Sequence, residues 1–245
     1  MTDLVPVSTA VPVSAVDPLS AADPLSTLVP LSAAALVTEQ ATTLSAPRRR
    51  HGLLARILFI TMDVAYGKQG TLSKFKVLEL VARVPYQAWE QVAYVALTHK
   101  HQMPDFARRV FEFVREARAQ QDNEQWHLLI MQELVHQRGI REGFFRFRIL
   151  PQLLAFTYYH ISWMLYVLRP SLSYGLNADF EDHAEHEYMN YVATHPELAE
   201  QKWETAFAED YGPHETLADV FRQIGVDERH HKEQSIAHMA KPRFQ

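Results

Sequence analysis

Two short stretches decide the fold of this chain: NEQWHLLIMQEL at residues 123–134 and VDERHHKE at residues 226–233. Each contains a Glu-x-x-His pair, Glu124 with His127 in the first and Glu228 with His231 in the second. On an α-helix, side chains three residues apart leave the same face, so each pair can hold one metal ion. Two such pairs on two helices indicate a helical bundle built around a metal site.

A third Glu-x-x-His pair, Glu133 with His136, lies nine residues beyond the first. Nine steps of about 100° place this pair on the opposite face of the same helix. It is therefore excluded from the predicted site. Its presence also shows that the spacing alone is weak evidence, so the prediction depends on carboxylates from two further helices.

Glu79 is the first of these carboxylates. It lies in VLELVARVPY, residues 77–86, where the neighbours Leu78, Val81 and Ala82 are apolar. An acid on such a face is predicted to be buried, and a buried carboxylate needs a partner.

Glu181 is the second carboxylate, in FEDHAEHEYMNY at residues 180–191. Asp182, Glu185 and Glu187 are rival candidates on the same helix. Glu181 is favoured because Tyr188, seven residues later, lies within about 20° of it on the helix. One face of the helix then carries the Glu181 carboxylate, the small Ala184 and the Tyr188 phenol.

The order Glu, Glu-x-x-His, Glu, Glu-x-x-His therefore predicts a six-ligand site for two metal ions. Four carboxylates and two imidazoles suit iron or manganese better than zinc or copper, and the sequence is interpreted as a di-iron site. Asn123 and Asp227, next to the ligands in the chain, are predicted to hydrogen-bond them.

The composition narrows the class of protein. The chain has 245 residues, 8 Gly and no Cys, which favours helices and excludes disulfides and thiolate metal sites. With a formal net charge of −5, the chain lacks the excess of Lys and Arg that is typical of nucleic-acid-binding proteins, so nucleic acid is excluded as a main partner.

The chain divides near Arg48. In residues 1–47 Pro recurs every six residues at Pro6, Pro12, Pro18, Pro24 and Pro30, each followed by Val or Leu and then Ser. This hexapeptide repeat predicts a low-complexity, disordered tail that serves as a spacer. Residues 48–245 are predicted to form the catalytic domain, with helices over about 52–67, 70–100 with a kink at Pro85, 105–138, 144–168, 171–194 and 215–240.

The fourth predicted helix contains ILPQLLAFTYYHISWMLYVL, twenty residues without a formal charge. Its length allows three alternatives: a buried core helix, an interfacial helix in one leaflet, or a membrane-spanning helix. Arg146, Arg148, Arg169 and the aromatic residues within the segment are typical of membrane-surface anchors and favour the interfacial alternative.

The stretch from about residue 52 to 240 resembles the alternative oxidases, most closely the plastid terminal oxidase branch and its cyanobacterial relatives. The segments that carry the resemblance are LELVARVPY, NEQWHLLIMQEL, EDHAEHEY and DERHH. It implies a ferritin-like four-helix bundle with a di-iron site and two apolar helices, the first and fourth segments, embedded in one leaflet. It also implies that the iron ligands are Glu79, Glu124, His127, Glu181, Glu228 and His231.

The resemblance further implies that Tyr188 is a redox-active tyrosine beside the irons and that quinol binds near Lys74, Leu78, Ala184 and Glu187. Lys74 stands where the family usually has Arg, Glu187 where Thr is common, and Gly225 where Arg is often found. The expected activity is oxidation of two quinols, plastoquinol or ubiquinol, with reduction of O₂ to two waters and no proton pumping. A homodimer on a bacterial cytoplasmic or thylakoid membrane is expected.

Two other functions use the same ligands. A di-iron hydroxylase of quinone-like substrates would insert oxygen into its product, and a ferritin-like iron-handling protein would assemble as a closed shell. The exposed apolar segments favour a membrane protein over the closed shell.

Overall fold

The structure, a computed structural model, describes residues 30–100, 102–241 and 243–244. These residues form helices and, apart from an isolated bridge between Lys202 and Thr216, no β-structure, so the all-α prediction is confirmed. The helices are α1 Ala33–Ser45, α2 Leu53–Tyr66, α3 Leu72–Ala82, α4 Val84–Lys100, α5 Pro104–Gln137, α6 Leu150–Leu168, α7 Pro170–Thr194, α8 Ala208–Tyr211 and α9 Leu217–Met239. A π-helical segment, Phe145–Ile149, precedes α6, and a 3-10 turn, Pro196–Ala199, follows α7.

The helices α3, α5, α7 and α9 surround the centre of the molecule. The helix α7 packs along α9, and α3 packs along α5 and also contacts α7. Between them lie fully buried apolar side chains, including Phe75, Ile130 and Phe221. Each of the four helices also carries an acidic residue that is completely buried, which makes the centre of this core polar.

The predicted second helix, about 70–100, is in fact two helices. The helix α3 ends at Ala82 and α4 begins at Val84, with a turn at Arg83. Pro85 has no N–H to donate, and its ring clashes with the carbonyl group four residues earlier. It therefore fits the first turn of a new helix better than the middle of a long one, and the predicted kink becomes a break.

The predicted tail also differs from the structure where the two can be compared. Residues 1–29 lie outside the described residues, but Ala33–Ser45 form α1, which packs on α7 and α9. The six-residue proline spacing ends at Pro30, and the hydroxyl of Ser32 caps the helix by accepting from the Ala35 N–H. The predicted boundary at residue 48 is wrong, because the folded unit begins before α1.

Helices α2 and α6 keep large apolar side chains at the surface. Val64 of α2 is 83% exposed, and Phe156 and Leu168 of α6 are 65% and 75% exposed. The helix α6 is therefore not a buried core helix. Within the described part of the chain, every helix is too short or too polar to cross a membrane.

Candidate metal centre

Six buried side chains meet at the centre of the four helices. The helix α3 supplies Glu79, α5 supplies Glu124 and His127, α7 supplies Glu181, and α9 supplies Glu228 and His231. We call these six residues the Glu/His cluster. None of them is more than 1% exposed. The structure therefore brings together all six residues that the sequence predicts as ligands, while their role as ligands stays a prediction.

The cluster has two halves that share two carboxylates. One half groups Glu79 and His127 with Glu124 and Glu228, and the other groups Glu181 and His231 with the same two acids. In the first half, His127 Nδ1 lies 3.4 Å from Glu79 and 3.2 Å from Glu228. In the second, His231 Nδ1 lies 2.8 Å from Glu124. Each half can hold one ion, with Glu124 and Glu228 between the two ions.

The hydrogen-bonding state of the cluster fits two cations. Buried polar groups in proteins normally have partners, and unpaired ones are costly. Here eight buried atoms make no hydrogen bond of acceptable geometry, and they are the atoms that face one another. They are Glu79 Oε2, Glu181 Oε2, both carboxylate oxygens of Glu124 and of Glu228, and Nδ1 of His127 and His231. This set comprises two carboxylates shared by both halves, one further carboxylate in each half and two imidazole nitrogens, which would suit two cations.

The charges in the cluster also favour cations. Burial raises the pKa of Glu79 and Glu181 well above the usual carboxyl range, and the neighbouring Glu228 raises both further. Burial alone would lower the pKa of His231, but its contacts with Glu124 and Glu228 raise it to about 9. In the metal-free protein, protons therefore compensate part of the buried negative charge, and metal ions would take over this role by displacing them.

Two tyrosines hydrogen-bond the outer carboxylates of the cluster. Tyr188 of α7 donates its hydroxyl hydrogen bond to Glu79 Oε1, across the bundle on α3. Tyr86 of α4 donates to Glu181 Oε1 at 2.7 Å, and Asn177 donates to the Tyr86 hydroxyl at 3.0 Å. Each tyrosine thus leaves the second oxygen of its glutamate free for a metal ion. Tyr86 is not among the predicted site residues, although it lies seven residues after Glu79, the same spacing that separates Glu181 from Tyr188.

A second polar layer lies behind His127. Its Nε2 is 3.2 Å from Asp227 Oδ2, which also accepts hydrogen bonds from the Tyr211 hydroxyl at 2.7 Å and from Asn123 Nδ2 at 3.4 Å. Gln223 Nε2 donates to the other oxygen, Asp227 Oδ1, at 2.9 Å. Asn123 and Asp227 were predicted to support the ligands, and Asp227 does contact one. Tyr211 and Gln223 are not among the predicted residues. No spacing relative to the motifs distinguishes Tyr211, whereas Gln223 precedes Asp227 by four residues, a helical spacing that could have indicated it.

The predicted quinol-binding residues do not form an open pocket. Leu78 and Ala184 are buried in the core, and the buried ammonium of Lys74 pairs with Asp63 at 2.8 Å. Glu187 is half-buried and lines a cavity of about 370 Å³ on the outer side of α7. Burial raises the Glu187 pKa, and the positive charge of Lys74 opposes this shift. A quinol site formed by these residues stays a prediction.

The excluded pair on α5 faces away from the cluster. The His136 side chain is exposed, and Glu133 accepts a hydrogen bond from the Ala206 N–H at 2.9 Å. Glu133 thus stabilises the segment before α8, and the position of the pair agrees with the helical geometry used to exclude it.

Comparison with known proteins places the site in a family context. The family model described as "Alternative oxidase" matches residues 40–240. The Arabidopsis thaliana protein "Ubiquinol oxidase 4, chloroplastic/chromoplastic" is 33% identical over 131 residues. This match covers 54% of the present chain and 34% of the relative, so the chain matches about a third of the curated relative's length.

Proposed function

Because this chain belongs to the alternative oxidase family, we propose that it is a quinol:oxygen oxidoreductase with a di-iron centre in the Glu/His cluster. The observation that carries the proposal is the set of eight buried ligand-type atoms, without hydrogen bonds of acceptable geometry, that four helices direct at one another. Four carboxylates and two imidazoles match the ligand set of di-iron carboxylate bundles and of iron or manganese in general. A ferritin-like four-helix bundle of α3, α5, α7 and α9 is the architecture that this proposal implies.

The proposed reaction oxidises two quinols and reduces one O₂ to two waters, so four electrons and four protons balance. Bound iron would supply the redox chemistry towards O₂. The chain itself holds the outer carboxylates through Tyr188 and Tyr86, excludes water from ligands that are at most 1% exposed, and keeps a proton on the Tyr188 hydroxyl. Burial and the adjacent Glu79 raise the pKa of that phenol well above its usual value, so Tyr188 is protonated and its oxidation to a neutral radical would release a proton with the electron.

The same proposal places quinol near Lys74, Leu78, Ala184 and Glu187, with plastoquinol favoured over ubiquinol. The Lys74–Asp63 pair would have to open or shift to admit a quinone ring, because Lys74 is buried and its ammonium lies 2.8 Å from Asp63. Lys74 offers a point charge and three donors where an Arg would offer a planar fork, so we expect it to bind a quinone oxygen less rigidly.

Membrane attachment in one leaflet is proposed for the apolar surfaces of α2 and α6. Their exposed side chains include Leu53, Ile60, Phe156 and Leu168, and such surfaces mark interaction sites. Arg148 and Arg169 lie at the two ends of α6 and are exposed, where cationic side chains reach lipid headgroups. A homodimer on a bacterial cytoplasmic or thylakoid membrane is the assembly and location we propose.

The test is a detergent-extracted full-length protein whose metal content is counted and whose oxygen uptake is measured with plastoquinol and ubiquinol analogues. We expect two irons per chain and oxygen uptake that depends on both iron and quinol. A protein that binds two irons but yields an oxygenated quinol would be a hydroxylase. A protein that stores iron without consuming quinol would exclude both enzymes.

A further inference from the structure

We infer that Gln223 is a positioning residue that couples the N-terminal segment, residues 30–45, to the metal ligand His127. The inference rests on the proposed di-iron centre and extends it to a part of the chain that supplies no ligand. It concerns the orientation of one imidazole, and so one half of the Glu/His cluster.

A continuous series of hydrogen bonds joins the segment to the cluster. The Leu31 N–H donates to Gln223 Oε1 at 3.0 Å, and Gln223 Nε2 donates to Asp227 Oδ1 at 2.9 Å. Asp227 Oδ2 in turn lies 3.2 Å from His127 Nε2, on the side of the ring opposite the carboxylates. Gln223 and Asp227 are each only 4% exposed, so water competes little for these bonds.

The series has a defined polarity. A backbone N–H can only donate and a carboxylate can only accept, so the Gln223 amide satisfies both neighbours in one orientation only. If the amide flipped, its NH₂ would face the Leu31 N–H and its oxygen would face the Asp227 carboxylate. The Leu31 N–H therefore fixes which end of the amide Asp227 meets.

The consequence for His127 follows from its two nitrogens. To bind a metal through Nδ1, the ring must carry its proton on Nε2, and a carboxylate accepting from Nε2 holds that tautomer and ring orientation. Asp227 performs this role only while its own rotation is fixed. Gln223 is the donor that holds Oδ1, the oxygen that does not face His127.

The N-terminal segment is itself firmly docked. Pro30 packs over Gly212, where an added Cβ would lie 2.4 Å from the proline ring, next to Tyr211 in the chain. Further along, Arg222 Nε donates to Gln40 Oε1 at 2.8 Å, and Gln40 Nε2 donates to the Met189 carbonyl at 2.9 Å. Leu31 is thus held in place beside Gln223 by contacts on both sides of it.

The experiment uses the full chain loaded with ferrous iron and measures the rate of iron loss to an excess of chelator. Gln223→Met removes both hydrogen bonds at similar volume. Gln223→Glu keeps the acceptor for Leu31 but sets a second carboxyl group against Asp227, so the two acids repel each other or share one proton and the neutral amide contact is lost in either case. Leu31→Pro removes only the backbone donor. Gln40→Met is the matched control, because it cuts another glutamine contact of the same segment that does not reach Asp227.

We expect roughly tenfold or faster iron loss in both Gln223 variants, the scale typical of partners that support metal ligands. Leu31→Pro should change the rate in the same direction by a few-fold, and Gln40→Met should match the wild type. The Mössbauer spectrum of ⁵⁷Fe should change for one iron of the pair in Gln223→Glu and stay constant for the other.

Unchanged iron loss and an unchanged spectrum in the Gln223 variants would overturn the inference. Equal acceleration in Gln40→Met would also overturn it, because the effect would then come from docking of the whole segment. If Gln223→Met does not fold, the rates of iron loss from Gln223→Glu and Leu31→Pro test the inference instead. A wild-type protein that binds no iron would contradict the proposed function, whereas an active wild type with unaffected variants would contradict only the role of Gln223.

Discussion

Tyr188 and Tyr86 occupy corresponding positions on the two halves of the Glu/His cluster. Each hydroxyl holds one oxygen of an outer glutamate, and each tyrosine belongs to a different helix from the glutamate it binds. Tyr188 also stacks on Phe75, with ring centroids 4.4 Å apart. Replacing either tyrosine by Phe removes one hydrogen bond and preserves most packing, so the two variants form a matched pair.

We expect Tyr188→Phe to retain its iron and its fold but to lose at least about tenfold in turnover, equivalent to about 1.4 kcal/mol of barrier. The reason is that Phe cannot release an electron and a proton together. Tyr86→Phe should lose less, because its hydroxyl only orients Glu181. Oxygen uptake per iron measures both. Equal losses in the two variants would reduce Tyr188 to an orienting residue, and near wild-type turnover in Tyr188→Phe would reject the redox role.

The ligand assignment makes a second prediction at this scale. Glu124→Ala and His231→Ala should each abolish iron binding in at least one half of the cluster and stop oxygen uptake, since Glu124 faces both halves. His136→Ala changes an exposed side chain of the same helix as Glu124 and should leave both properties intact. Iron counting by elemental analysis decides, and iron loss in His136→Ala but not in His127→Ala would refute the face assignment.

At the residue scale, the sequence predicts the members of the cluster but not their surroundings. Glu-x-x-His spacing and two acids on apolar faces identify the six residues, because helical geometry is local. Tyr86 and Tyr211 contact the cluster or its support from other elements, and such contacts depend on how the helices pack. Gln223 lies one turn before Asp227 on α9, but its contact with the Leu31 N–H also depends on tertiary packing. The seven-residue spacing from Glu79 could have indicated Tyr86, but the helix break at Arg83 lies between them.

At the scale of elements, α1 is attached to the bundle by polar and apolar contacts. Arg229 of α9 makes an ion pair with Glu39, and Thr43 donates to Glu185 of α7 at 2.6 Å. Leu36 is fully buried beneath the helix. These contacts show that the predicted tail contains a part of the folded domain.

We therefore expect a chain lacking residues 1–47 to be destabilised by about 2–5 kcal/mol, since burial of Leu36 alone contributes about 1.5–3 kcal/mol. Its Tm should fall by several degrees, at about 2–4 °C per kcal/mol for a protein of this size. A chain lacking only residues 1–29 is the matched control and should melt with the full-length protein. Thermal unfolding followed by circular dichroism checks this, and equal melting of both truncated chains would contradict the role of α1.

Most helices could be predicted because their boundaries depend on residues at or next to the helix ends. The first, third, fifth and sixth predicted segments agree with α2, α5, α7 and α9 to within two residues at each end. The errors arise where two signals compete. The hexapeptide repeat ends at Pro30, but the predicted tail continues to residue 47 and so includes the proline-free helix α1. Across Pro85 the apolar residues continue at helical spacing, so the sequence predicts one helix where the structure has two. The short α8 was missed because four residues carry too little periodicity.

At the scale of the whole molecule, the cluster makes the metal-free protein sensitive to pH. The pKa of His231 rises from its ordinary 6.5 to about 9 on folding, and the pKa values of Glu79 and Glu181 are also raised. Above about pH 7.5 the folded chain therefore binds more protons than the unfolded chain, and the free energy of unfolding falls as the pH rises. Below that pH, His183, His214 and His230, whose pKa values are lowered by burial, act in the opposite direction. For His231, this stabilisation is complete below about pH 6.5 and is lost as the pH rises through about 9.

We expect the Tm of the iron-free protein to decrease between about pH 7.5 and pH 9.5, and the Tm of the iron-loaded protein to decrease much less. Iron removes the dependence because its ligands are already deprotonated. Differential scanning calorimetry of both forms in matched buffers measures this. A Tm of the iron-free form that rises over this range would show that the buried groups are not protonated as inferred.

The most direct test of the central claim is the ratio of quinol oxidised to oxygen consumed by the iron-loaded protein supplied with ¹⁸O₂. A quinol oxidase built on the Glu/His cluster should consume two quinols per O₂, release both labelled oxygen atoms as water and leave the quinone unlabelled. Incorporation of ¹⁸O into the quinone product, or a ratio near one with accumulation of hydrogen peroxide, would contradict it.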